Sequence, residues 1–108
     1  MLLTVSERLV LISILPKENN YTTLKIVRDL VNDLSFTEEE HANLNFYNAE
    51  DGMLHWTPEY DIPKDITIGE KASDIIAECL RNLNNAKKLR EDHISLYEKF
   101  YDVINAIR

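Results

Sequence analysis

Glycine occurs only twice, proline three times and cysteine once in this chain. So few backbone breakers favour helices and argue against a disordered or low-complexity tract. The single cysteine, Cys79, excludes an internal disulfide and a multi-thiolate zinc site. It falls within an apolar helical stripe, where a thiol is read as core packing rather than as a reactive group. Lysine and arginine are missing altogether between positions 29 and 63, a stretch that carries nine acidic residues. No apolar run approaches the roughly 20 residues that span a bilayer. The basic start and small-residue cleavage site of a secretory leader are also missing, so the Asn20-Tyr21-Thr22 sequon is read as chance and the expected location is the cytoplasm.

What remains is the composition of a packed globule. Of the 108 residues, 44% are hydrophobic and 29% charged, with a net charge of −7. A chain of this length buries enough apolar surface for one core, and a single domain over residues 1–108 is expected. The negative charge disfavours a phosphate backbone as partner, unless Lys87, Lys88 and Arg90 join Arg81, or Lys25 and Arg28, in one basic patch.

Local patterns predict an α+β fold that is mainly α, with four to five helices and one short β-hairpin. Thr4-Val5-Ser6-Glu7 has the form of a capping box, and the helix it opens runs through Leu9 to Leu15 until Pro16 disfavours helical geometry in the residue before it. Thr22 or Thr23 caps a second helix with an apolar face of Leu24, Ile26, Val27, Leu30, Val31 and Leu34. Thr37 and Glu40 form another capping box with Phe36 as hydrophobic staple, predicting a short helix from about Glu38 to Leu44. The period then changes: Leu44 and Phe46 alternate, Asp51-Gly52 marks a tight turn, and Met53 to Thr57 form the returning strand, with Ala49-Glu50 lengthening the loop. Asp65 to Ile68 reads as a brief extended segment docked on the hairpin. Thr67 to Glu70 is a third candidate capping box, ahead of a helix bearing Ala72, Ile75, Ile76, Cys79, Leu80 and Leu83. A last helix, roughly Glu91 to Ile107, buries Ile94, Tyr97, Phe100, Tyr101, Ile104 and Ile107.

No catalytic template is complete. A glycine-rich phosphate loop, a serine in a nucleophile elbow and a cysteine with a partner base are all lacking, so a non-enzymatic protein without cofactor is expected. Glu38-Glu39-Glu40-His41 resembles a ligand set, yet only Glu38 and His41 share a helical face, and two ligands do not make a metal site. His55 and Trp56 accompany Tyr47 and Tyr60, and such aromatics either anchor a partner or fill a core; core is the heavier reading for Trp56. His93 reads as a surface residue.

Helix, helix, short helix and hairpin is also the order of a winged helix-turn-helix domain, with Glu38 to Leu44 as recognition helix and Asp51-Gly52 at the wing tip. A DNA-reading helix presents cations and amides, whereas this one carries three glutamates and its wing Glu50-Asp51. The segments Ser6 to Val10, Ser35 to His41, Ile68 to Ala72 and His93 to Phe100 resemble small proteins encoded by bacteriophages and prophages. The resemblance covers most of the chain and carries no activity or functional residue with it. It implies only a setting, the bacterial cytoplasm during phage growth. The leading expectation is an acidic regulatory or interaction protein that meets a basic protein partner through its 29–61 surface, with Glu38, Glu39, Glu40, Glu50, Asp51 and Trp56 as candidate contacts. The alternatives are a homo-oligomeric assembly component, which buries the apolar faces of its first and last helices against a second copy, and a winged-helix DNA-binding regulator.

Overall fold

A computed structural model describes residues 1–106. The order is β1 (Leu2–Leu3), α1 (Val5–Ile14), α2 (Tyr21–Leu34), α3 (Glu38–Leu44), β2 (Tyr47–Asn48), β3 (Leu54–His55), a 3-10 turn (Pro58–Tyr60), β4 (Lys64–Asp65), α4 (Glu70–Asn85), a second 3-10 turn (Glu91–His93), α5 (Ile94–Lys99) and α6 (Tyr101–Ala106). The chain is therefore α+β and mainly α, with two small antiparallel strand pairs, β1–β4 and β2–β3. No helix among the described residues is long and apolar enough to cross a membrane.

Two of the three predicted capping boxes form. The Thr4 side chain accepts from the Glu7 amide while Glu7 accepts from the Thr4 amide, and Thr37 and Glu40 do the same at the start of α3. The third does not form: Gly69 is the N-cap of α4 and supplies no side-chain bond. At α2 the cap is Asn20 rather than Thr22 or Thr23; its Oδ1 accepts from the Thr23 amide at 2.8 Å and starts the helix at Tyr21. Pro16 leaves Leu15 extended, so α1 ends at Ile14. α4 closes with Lys87 in the left-handed region at φ 57, where the Lys87 amide bonds Asn84 O and the Lys88 amide bonds Leu83 O. This is a Schellman closure with lysine at the position glycine usually takes.

The core is formed by Leu3, by Val10, Leu11 and Leu15 of α1 and its end, by Val27, Leu30 and Leu34 of α2, by Ala72, Ile76, Ala77 and Leu80 of α4, and by Leu96, Phe100 and Ile104. α4 packs on α1, α2 and α6, so its apolar stripe organises the whole bundle. The predicted last helix is interrupted at Phe100, and its buried stripe is His93, Leu96, Phe100 and Ile104. Ile94 and Tyr101, expected inside, are about half exposed, at 51% and 54%. Ile107 lies outside the described residues. His93 is 4% exposed, because its Nδ1 accepts from the Arg90 amide at 2.8 Å and closes the 3-10 turn ahead of α5.

The extended segment near residue 65 pairs with the amino-terminal strand, not with the hairpin: Leu2 faces Asp65 and Leu3 faces Lys64. Leu3 and Ile66 are both drawn into the core, which fixes that pairing over a docking on the hairpin. The hairpin therefore stands apart from the other strand pair, unlike the three-stranded sheet of a winged helix. Its register sets Tyr47 opposite His55, and the loop between is the Ala49–Gly52 turn, with Gly52 at φ 79 where a side chain is disfavoured.

Among the described residues, two ion pairs formed by lysine or arginine reach into the buried region. Glu7, 3% exposed, accepts from Lys99 Nζ at 2.6 Å, and Lys99 also bonds Leu2 O at 2.7 Å, tying α5 to both α1 and β1. Burial pushes the Glu7 carboxyl up, but the bonds from Lys99 and the Thr4 amide outweigh it and the net direction is down. Arg8 is 1% exposed and belongs to the site described next.

Candidate partner-binding surface

Arg8 stands on the same helical stripe as Leu11 and Leu15, where a cation has no water to solvate it. It is satisfied from three sides. Nε donates to Leu34 O at 3.0 Å and Nη2 to Ser35 O at 2.8 Å, answering carbonyls that the end of α2 leaves without helical partners. Nη1 and Nη2 reach Glu40 Oε2 and Oε1 at 2.5 and 3.3 Å, and the guanidinium lies 3.9 Å from the centre of the Phe36 ring. One side chain of α1 thus joins the end of α2 to the start of α3. The hydrogen bond from Arg8 holds the Glu40 carboxyl well below its ordinary range, at about 2, with the Thr37 amide and nearby Lys64 adding to the effect against partial burial.

α3 and the hairpin share a second, aromatic cluster. Phe36 packs edge-on against His41, the staple contact expected at that spacing, and against Phe46 at 5.2 Å. Phe46 in turn meets Trp56 at 6.0 Å. Trp56 is half-buried, and its Nε1 donates to Asp61 Oδ2 at 3.0 Å; Asp61 Oδ1 accepts from the Val5 amide at 3.1 Å. The indole and the carboxylate are therefore fixed relative to each other and to the bundle.

The structure sorts the predicted contacts into two groups. Glu38, Glu39 and Glu50 are exposed and make no side-chain hydrogen bond or ion pair within the described residues. Glu40 is committed to Arg8 and to the Thr37 amide, so it serves the fold. Asp51, although exposed, is also engaged: its Oδ1 accepts from the Met53 amide at 2.9 Å and its Oδ2 lies 3.0 Å from His55 Nε2. Those two contacts, the backbone bond first, lower its carboxyl below the usual value. His55 also stacks on Tyr47, ring centres 5.6 Å apart.

Nor do the acids from 29 to 61 form one face. Asp29 and Asp33 line a groove between α2 and the start of α4, shared with Glu70 and Lys71. Asp61 lines a different groove of about 440 Å³ beside β3, with Leu54, His55, Trp56 and Pro58. Tyr47 and Tyr60, open in the sequence to either a core or a surface role, are 55% and 49% exposed, and what the sequence did not reveal is that Met53, Leu54 and Ile62 are open to solvent with them. The strands are only two residues long, shorter than the Met53 to Thr57 strand expected from the sequence.

Among the described residues, no group of three or more His, Cys, Asp or Glu side chains is placed to hold a metal ion. Burial, with Glu78 beside it, pushes the Cys79 thiol above its ordinary value, which disfavours the thiolate. No protein-family model, curated protein or solved structure matches the chain.

Proposed function

We propose that this is a non-enzymatic interaction protein, and that α3 and the hairpin form its binding face for a basic protein. The observation that carries the reading is the set of acids left unengaged there, Glu38, Glu39 and Glu50, alongside the exposed apolar side chains Tyr47, Met53 and Leu54. Acids with no internal partner supply long-range attraction, and exposed aromatic and aliphatic groups supply the desolvated contact that gives such encounters their lifetime. The absence of lysine and arginine from 29 to 63 keeps the field of that stretch negative. The same sign at the first turn of α3 weighs against a DNA-reading role for this helix. The assembly reading has one feature in its favour, the exposed Ile94 and Tyr101 on the last helices.

The test is capture of bacterial proteins at low and high salt by wild type and by a triple variant, Glu38→Gln, Glu39→Gln and Glu50→Gln. Glu40 is spared because it holds Arg8. A basic protein retained by wild type, released by salt and lost in the variant supports the proposal. Equal capture by both forms, or a salt-insensitive dimer that captures nothing, moves the function to self-assembly.

A further inference from the structure

We infer that the groove beside β3, lined by Leu54, His55, Trp56, Pro58 and Asp61, receives a lysine or arginine side chain of the basic partner. This rests on the binding role proposed above and names the anchor within it.

The groove, about 440 Å³, falls in the size range of small-ligand clefts, roughly 300–1,000 Å³. Its chemistry is that of a cation site. Leu54 and Pro58 offer apolar surface for the methylene stem of a long basic side chain, and Trp56, which lines the groove beside them, is the aromatic residue type that attracts cations most strongly. Asp61 supplies the counter-charge. Each of its oxygens already takes one donor, Val5 N–H and Trp56 Nε1–H, and each carboxylate oxygen has capacity for a second. Those donors, together with Phe46 against the indole, hold the carboxylate and the ring in place before anything binds, so little ordering is lost on binding.

None of the groove's lining residues is lysine or arginine. An acidic side chain entering it would meet Asp61, and an apolar one would strip water from that carboxylate without replacing it. The same chain already contains this combination with its cation supplied internally: Arg8 lies over Phe36 and is held by Glu40. At the groove, the aromatic ring and the carboxylate belong to this chain and the cation comes from the partner.

Trp56 is the only tryptophan in the chain, so its fluorescence reports on the groove alone. The probes are a flexible peptide of alternating glycine and arginine and a peptide of the same length with glutamine in place of arginine, each with a dye so that binding is followed separately by anisotropy. The expected result at low salt is binding of the arginine peptide, at least about 3-fold lower acrylamide quenching of Trp56 at saturation, and about 5- to 20-fold weaker binding by Asp61→Asn. The triple variant Glu38→Gln, Glu39→Gln and Glu50→Gln should weaken binding yet keep the full protection of Trp56 once saturated. Binding that leaves Trp56 equally quenchable, or that circular-dichroism-verified Asp61→Asn does not weaken, overturns the assignment and leaves the broader acidic face standing. No binding of the arginine peptide at low salt overturns both.

Discussion

Replacing Arg8 by methionine removes a side chain that joins α1 to the end of α2 and the start of α3, and the structure sets the size of the effect. Methionine matches the length of the buried stem, so little cavity forms; the loss is polar. The Leu34 carbonyl lies against a fully buried residue and loses its donor, which costs roughly 1–3 kcal/mol, whereas the exposed Ser35 end of α2 can turn to water. Glu40 loses its counter-charge, but its side chain is 26% exposed and recovers part of its hydration. Removing one partner from a fully buried pair costs about 3–5 kcal/mol, and the partial access of Glu40 places Arg8→Met near the lower end, at about 3 kcal/mol. Glu40→Gln should cost less, about 1–2 kcal/mol, because glutamine Oε1 still accepts from Arg8 Nη2 and from the Thr37 amide, while the amide nitrogen in place of Oε2 no longer accepts from Arg8 Nη1. In the double variant Arg8→Met with Glu40→Gln, the combined loss should fall short of the sum of the two single losses by about 1–2 kcal/mol. Urea titration at neutral pH measures all of these as shifts in midpoint at constant slope. The Glu40 carboxyl is held down from 4.5 to about 2, so the pair's contribution is complete above 4.5 and drains away as the pH falls toward about 2. The gap between wild type and Arg8→Met must therefore narrow on acidification. A loss below about 1 kcal/mol for Arg8→Met, or strict additivity in the double variant, would refute the clamp.

Two further expectations concern helix ends. Asn20→Ala should destabilise the protein by about 1 kcal/mol in urea titration, while Thr22→Ala should stay within about 0.5 kcal/mol, because only Asn20 bonds an orphan amide of α2. Lys87→Gly should raise stability by roughly 0.5–1 kcal/mol, since lysine occupies a left-handed position at φ 57 that glycine adopts without steric cost; a loss of stability on thermal or urea unfolding would contradict this.

Features governed by neighbours within four residues could be read directly from the chain. The boxes at Thr4 and Thr37, the stop at Pro16, the Gly52 turn and the apolar stripes of α2 and α4 each follow from backbone groups that a nearby side chain or dihedral preference satisfies. Asn20, one position ahead of a tyrosine and two threonines, shows where this local reading fails. Several residues there suit a cap, and which one takes it depends on where the α1–α2 loop delivers the chain. The stripe of the last helices was placed only in part, right at Phe100 and Ile104 and wrong at Ile94 and Tyr101, for a similar reason. Ile94 is as apolar as Leu96, and only the packing of α6 on α4 turns Leu96 inward, leaves Ile94 and Tyr101 half exposed and seats His93 with the core.

The acidic stretch marks the clearest division. Composition alone established a long segment without lysine or arginine, and so the sign of its field. Which acids are available to a partner was decided by tertiary structure. Glu40 is taken by Arg8, 32 positions earlier, and Asp61 is positioned by Val5, 56 positions earlier, while Glu38, Glu39 and Glu50 are left in water. A charge declares its sign in the sequence, but whether it is spent inside the fold depends on which distant groups the packed core brings within hydrogen-bonding distance.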